Sequence, residues 1–142
     1  MIYEPQEDSY LLAGEVGKRA RGKVLDMGTG SGIQALTAEK NKGVNSVTVA
    51  DVDTEVLSFV SSMHFEVIET NLFENIYEKY DFIIFNPPYL PDNPKDPQPS
   101  LDGGPTGREM LDQFLEDAPT YLNKGGEILF VQSSITGIEE TE

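Results

Sequence analysis

The tetrad Asn86-Pro87-Pro88-Tyr89 follows directly on an apolar run at 81–85 (DFIIF). Two prolines fix φ and remove two N–H donors, so the segment presents acceptors: the Asn86 side-chain oxygen and the Pro87 carbonyl. Two convergent acceptors suit a planar NH2 group, and Tyr89 adds a flat face on which an amide or a base can stack. The same residue types also serve simply to end a buried strand and open a loop. Position favours chemistry, because ligands of open parallel sheets lie at the carboxyl ends of the strands.

A second constellation lies upstream, in Asp26-Met27-Gly28-Thr29-Gly30-Ser31-Gly32. Glycines allow positive φ and let a ligand touch backbone that a side chain would block. The spacing excludes a phosphate loop, which needs Gly-Lys-Ser/Thr, and a G-x-G-x-x-G fingerprint, which needs glycine where Ile33 stands. What remains is G-x-G-x-G with Asp26 before it. About 20 residues on, an acidic side chain is due at the tip of the next strand to accept hydrogen bonds from a ribose diol. Asp51 fills that slot and Asp53 follows it, although an aspartate after a strand is also an ordinary helix cap. Turn and carboxylate together favour a nucleoside ligand. The single histidine, His64, lies at the start of a later strand, away from these motifs, and reads as structural or exposed.

The elements that must position these residues alternate. Residues 23–27 (KVLDM), 46–50 (SVTVA), 65–69 and 81–85 read as short buried strands. Between them, 31–41 reads as a helix with Ile33, Leu36 and Thr37 on one face, and 54–63 as another with Val56, Leu57 and Val60 on a stripe. Residues 109–122 are amphipathic through Met110, Phe114, Leu115 and Ala118, with Pro119 demanding a kink or an early stop. Lys124-Gly125-Gly126 reads as a turn before a fifth strand at 127–132. Apolar runs alternating with helices predict a doubly wound, Rossmann-like α/β sheet. Seven of the nine prolines fall between Pro87 and Pro105, which marks that stretch as a long loop of the kind that is usually functional or disordered.

Composition narrows the class. At 142 residues one domain is expected, and 38% hydrophobic residues suffice for a core. No cysteine is present, so disulfides and thiolate zinc sites are excluded, and one histidine is too few for a His-built metal centre. The amino terminus lacks the basic start and apolar run of a signal peptide, and no stretch is long and apolar enough for a membrane span, so a cytoplasmic protein without a membrane partner is expected. With 25 Asp+Glu against 10 Lys+Arg the net charge is −15, which disfavours free nucleic acid as a partner. Lys18, Arg19, Arg21 and Lys23 cluster, and read as a solvated helix end.

The tetrad, the glycine turn and Asp51 together resemble a class I S-adenosylmethionine-dependent methyltransferase acting on an NH2 group. The (D/N)PPY tetrad is shared by DNA and RNA amino methyltransferases and by HemK-type glutamine-N5 methyltransferases of release factors. Three further segments resemble the short eukaryotic and archaeal HemK-like branch: Tyr3-Glu4-Pro5-Gln6-Glu7-Asp8-Ser9-Tyr10-Leu11-Leu12, Thr70-Asn71-Leu72-Phe73, and Leu101-Asp102-Gly103-Gly104-Pro105-Thr106-Gly107-Arg108-Glu109. Bacterial members carry a helical domain ahead of the glycine motif, whereas 25 residues precede Asp26 here.

The resemblance implies strand order 3-2-1-4-5 in a single domain over 1–142, C-terminally incomplete because strands six and seven would lie beyond Glu142. It places S-adenosylmethionine against Ser9, Asp26, Gly28, Gly30, Asp51, Asn71, Leu72 and Asn86. Asp51 would hold the ribose, and Asn71 and Leu72 would flank adenine, with Asn71 standing where an aspartate is usual. The acceptor would meet Asn86, Pro87, Pro88 and Tyr89, with Asn86, Pro87 and Tyr89 as the catalytic set. It further implies the glutamine amide of the Gly-Gly-Gln loop of a class 1 release factor as substrate, and a small zinc-binding activator protein along the edge of strand three. Two alternatives stay open at this point: a DNA or RNA amino methyltransferase acting on adenine N6 or guanine N2, and an S-adenosylmethionine-binding domain without turnover.

Overall fold

A computed structural model of the chain describes residues 7–85 and 108–130. In order they form α1 (Glu7–Arg19), β1 (Gly22–Met27), α2 (Ile33–Glu39), β2 (Val44–Asp51), α3 (Thr54–Val60), β3 (Glu66–Glu69), β4 (Tyr80–Phe85), α4 (Arg108–Asp117), a 3-10 turn (Ala118–Tyr121) and β5 (Leu122–Phe130). The strands make one sheet in the order β3-β2-β1-β4-β5. Every pairing is parallel. The doubly wound architecture and the strand order both agree with expectation.

Side chains alternate across a strand, so β1 and β4 each feed two core layers. Leu25, Met27, Ile83 and Phe85 point to the face covered by Phe73, Leu111 and Phe114. Val24, Phe82 and Ile84 point to the other face, under Leu12 and Val16 of α1, Ala20 just after it, and Ala38 of α2. A third cluster of Ala35, Val49 and Val60 seats α2 and α3 on β2. Both faces being covered explains why these strands read as continuous apolar runs.

The anchor of the first layer is Phe114, which is fully buried and stacks on Phe85 at 4.1 Å between ring centroids and on Phe73 at 5.4 Å. Phe114→Ala should cost about 3–5 kcal/mol of stability, because it removes the aromatic area and leaves a cavity in a close-packed interior. A urea midpoint unchanged from that of the parent would contradict this placement.

Three details depart from the sequence reading. The buried face of α2 carries Gln34, Ala35 and Ala38, while Leu36 is exposed. The stripe of Ile33, Leu36 and Thr37 is therefore displaced, because α2 lies against α1 as well as against the sheet. A Cβ at Gly17 would stand 3.6 Å from Thr37 Cγ2, which places Thr37 on the side facing α1. Next, Lys124-Gly125-Gly126 is not a turn ahead of β5 but an irregularity within it. The register with β4 shifts between Tyr80 and Phe82, and Gly125 takes φ 81° there. Lastly, the basic cluster does more than end a helix. Lys18 and Arg19 close α1, but Arg19 and Arg21 both grip Glu127 of β5, at 2.9 and 2.8 Å, and Arg21 also donates to the Gly125 carbonyl. Helix α4 stops at Asp117 and Pro119 sits in the 3-10 turn, as the proline demanded. No helix among the described residues is long and apolar enough to cross a membrane.

Candidate functional site

Chain order reverses between β1 and β4. In open α/β sheets such a switch point is where the ligand crevice lies, outside the carboxyl ends of the strands. Four strand ends meet there in register: Met27 beside Ala50 on one side and Phe85 on the other, and Asp51 beside Glu69. The tetrad Asn86, Pro87, Pro88 and Tyr89 begins at the residue after Phe85 in the sequence and lies outside the described residues. Ser9 is on α1, but its side chain also lies outside them.

The glycine turn is built by backbone. Gly28 and Thr29 both donate to the Ala50 carbonyl, at 2.8 and 3.1 Å, and Gly32 N–H donates to the Thr29 carbonyl at 2.8 Å. Gly28, Gly30 and Gly32 have φ of 74°, 54° and 84°, a conformation that side chains with a Cβ rarely adopt. At Gly32 a Cβ would also press on Met63 Sδ at 3.3 Å. The spacing of the glycines is thus the spacing of left-handed residues in the turn.

The two aspartates after β2 divide the roles that the sequence left open. Asp53 is the cap of α3, accepting from Glu55 N at 2.8 Å and Val56 N at 3.4 Å. Asp51 faces the glycine turn instead. Its Oδ2 accepts from Gly30 N at 3.2 Å, and its Oδ1 accepts from Val52 N at 2.8 Å and Asp53 N at 3.0 Å. Burial raises the Asp51 pKa, and these three amides offset part of that rise. The backbone carbonyl of Asp51 accepts from Thr70 N at 3.0 Å, tying the end of β2 to the segment that carries Asn71 and Leu72.

That segment is held by a residue the sequence reading did not single out. The Thr70 hydroxyl donates to the Leu72 carbonyl at 2.8 Å and accepts from Asn75 N at 2.9 Å. Leu72 is left-handed at φ 52°, a conformation that costs a non-glycine residue roughly 1–3 kcal/mol and marks a loop with an imposed shape. Asn71 is exposed and Leu72 half-buried. A cavity of about 460 Å³ opens beside both, but its other walls are Gln113, Asp117 and Tyr121 on the α4 side. It therefore does not include the glycine turn or Asp51, which lie together at the switch point.

Asp26 is the most perturbed group. It is fully buried, and the Thr29 hydroxyl donates to its Oδ2 at 2.8 Å. Oδ1 closes no hydrogen bond of ordinary geometry among the described residues. Burial pushes its pKa up to about 7; the Thr29 hydroxyl and the Ala35 amide act against the rise, and the Asp51 charge adds to it. Thr29 was missed in the sequence reading, and its signal is a hydroxyl three residues after an aspartate in a glycine turn. His64 is exposed, contacts Glu39 and lies tilted against the Phe65 ring, away from this edge.

Residues 5–141 match the model of the family described as the methyltransferase small domain. This chain belongs to that family. The membership supplies the cofactor class, S-adenosylmethionine, for the crevice just described. Among curated relatives of this methyltransferase chain, a protein of Methanocaldococcus jannaschii that carries the provisional name protein N5-glutamine methyltransferase is 36% identical over 99% of this chain and 76% of its own length. The release factor glutamine methyltransferase of Streptococcus pneumoniae is 33% identical, covering 74% of this chain and 43% of that protein. The ribosomal RNA small subunit methyltransferase C of Haemophilus influenzae is 28% identical over 87% of this chain and 36% of that protein. The chain thus spans most of the first relative and less than half of the other two. A solved ribosomal protein L11 methylase of Lactobacillus delbrueckii superposes with TM-score 0.67 at 22% identity, covering 92% of this chain and 70% of that one, which shows the shared fold.

The site's chemistry fits the cofactor. A buried carboxylate oxygen without a donor is a place for a cation or an N–H, a glycine turn admits close approach, and Asp51 is preorganised beside it.

Proposed function

We propose that this methyltransferase domain, read as one unit over residues 1–142, methylates the side-chain amide nitrogen of a glutamine, in the Gly-Gly-Gln loop of a class 1 release factor. The observation that carries the reading is the switch-point crevice: an orphaned buried Asp26 oxygen, a left-handed glycine turn and Asp51 stand on one side of β1, and β4 ends beside Met27 on the other. The names of the Methanocaldococcus and Streptococcus relatives support glutamine as the acceptor.

S-adenosylmethionine supplies an electrophilic methyl carbon on a sulfonium sulfur. Ser9, Asp26, Gly28, Gly30, Asp51, Asn71, Leu72 and Asn86 would hold it, with Asp51 on the ribose and Asn71 and Leu72 beside adenine. An amide nitrogen is a weak nucleophile because its lone pair is delocalised into the carbonyl. Asn86 and Pro87 would accept hydrogen bonds from its two N–H groups, orienting the nitrogen and stabilising the positive charge that develops on it as the N–C bond forms and the methyl's bond to sulfur breaks, leaving the neutral thioether S-adenosylhomocysteine. Tyr89 would stack on the amide plane, Pro88 would keep the segment extended, and the proton released from nitrogen would pass to solvent.

The partner would dock along β3, whose four residues pair with β2 alone among the described strands and leave one row of backbone groups open. A small zinc-binding activator is the occupant proposed for that edge. The ribosomal RNA methyltransferase relative favours a second reading, transfer to a nucleic-acid amino group. The net charge of −15 weighs against it.

Methyl transfer from labelled S-adenosylmethionine tests the choice, with release factor, ribosomal RNA and DNA offered in parallel and the activator present or absent. Label on the release factor alone is expected. Label on nucleic acid with none on protein would overturn the reading, and cofactor binding with no transfer to any acceptor would favour a non-catalytic domain.

A further inference from the structure

We infer that Thr29 is a positioning residue: its hydroxyl holds the Asp26 carboxylate in the orientation that leaves the second oxygen free for a cationic group of the cofactor. The inference deepens the reading of Asp26 as a cofactor ligand and rests on it for that last step.

Thr29 has no freedom to serve elsewhere. Its N–H is spent on the Ala50 carbonyl and its carbonyl on Gly32 N–H, so both ends of the residue are pinned by the turn. The side chain is 4% exposed, and its hydroxyl, which has one proton, lies 2.8 Å from Asp26 Oδ2. Being β-branched, threonine has a restricted χ1. A pinned backbone and a stiff rotamer therefore fix one oxygen of the carboxylate and thereby aim the other.

The surroundings of Asp26 make this donor matter. β2 brings Val49 beside it and β4 brings Ile84, while α2 brings the Ala35 amide. The titratable group that faces it among the described residues is Asp51, whose negative charge opposes ionisation of Asp26. No cationic side chain among the described residues compensates. A hydroxyl that donates to a carboxylate favours its charged form, and such charge-assisted bonds are about twice as strong as neutral ones. Removing the hydroxyl while keeping the shape should leave Asp26 protonated at neutral pH, and a protonated carboxyl is a poor partner for a cation.

The test uses the ligand-free full chain first. The Asp26 side-chain carboxyl carbon is titrated by NMR, assigned through Asp26→Asn, in the parent and in Thr29→Val, Thr29→Ala and Thr29→Ser. The Val and Ala variants remove the hydroxyl in two shapes, so the result stands if either folds. Their midpoints are expected to rise by about one to two pH units, and Ser is expected to stay near the parent. Midpoints of Val and Ala equal to the parent, or a Ser variant that follows them, would overturn the inference. S-adenosylhomocysteine affinity, by calorimetry from pH 6 to 9, then reads the coupling: about a tenfold loss in Thr29→Val at pH 7 that closes toward pH 9 supports it. A shifted carboxyl midpoint with pH-independent binding would instead overturn Asp26 as the cofactor's cation ligand, so the two failures are distinguishable.

Discussion

Asp26→Asn should stabilise the fold at pH 8 and weaken the cofactor at the same time. Burial pushes the Asp26 pKa up to about 7 from 3.8. Well below pH 3.8 the carboxyl is protonated in both folded and unfolded chains and imposes no charge penalty. As pH rises from 4 toward 7 the unfolded chain releases its proton while the folded one retains it, so stability falls with pH. Above 7 the folded chain carries a buried carboxylate in full, at a cost of roughly 4 kcal/mol relative to the protonated state. Asparagine has nearly the same shape and no charge to bury. Its Tm should exceed the parent's by on the order of 10 °C at pH 8, with the difference closing by about pH 3. S-adenosylhomocysteine affinity should fall at least about tenfold in the same variant, since a charge-assisted contact is lost. Calorimetric scans over pH check the first half and titration calorimetry the second. A Tm difference that does not vary with pH would show that Asp26 is not a strained ionised group.

Asn86→Ala is expected to lower methyl transfer by 10²-fold or more while leaving S-adenosylhomocysteine binding within a few-fold of the parent. The asymmetry follows from the roles proposed. The Asn86 oxygen would accept from the acceptor N–H and stabilise charge that exists only in the transition state, an effect worth about 10²–10³ in kcat when one such group is removed from a preorganised site. The cofactor would keep its other partners, chiefly Asp26 and Asp51. Single-turnover transfer and calorimetry on one preparation separate the two quantities. Equal losses in both would move Asn86 from the acceptor to the cofactor.

The opposite signs of the Asp26 predictions describe how the site is made. A carboxylate that is comfortable in the absence of ligand would have its own donors and nothing to offer. Here one oxygen is satisfied by Thr29 and the other meets no hydrogen bond of ordinary geometry among the described residues, in a turn held by the Ala50 carbonyl and the Asp51 carboxylate. The folded chain carries a destabilising charge at the place where a cofactor cation would relieve it.

Much of this was legible in the amino-acid order. Apolar runs at β1, β2 and β4 announced strands buried on both faces, because a parallel sheet needs cover on each side. Glycines at 28, 30 and 32 announced a left-handed turn, since nothing else adopts that backbone cheaply. Asp51 was placed by its distance from that turn. These are local properties, decided by residue type and near neighbours.

Other features required the third dimension. Which of Asp51 and Asp53 caps α3 and which faces the turn depends on a strand end and a turn 21 residues apart meeting in space. The buried face of α2 follows from α1 lying against it, and so runs through Gln34, Ala35 and Ala38 instead of the Leu36 stripe. The pinning of β5 by Arg19 and Arg21 through Glu127 joins residues more than a hundred positions apart. The raised pKa of Asp26 is the clearest case, because aspartate is aspartate in any sequence. Only its complete burial between β2, β4 and α2, with the Thr29 hydroxyl on one oxygen and no hydrogen bond of ordinary geometry on the other among the described residues, turns it from a surface acid into the group on which the site turns.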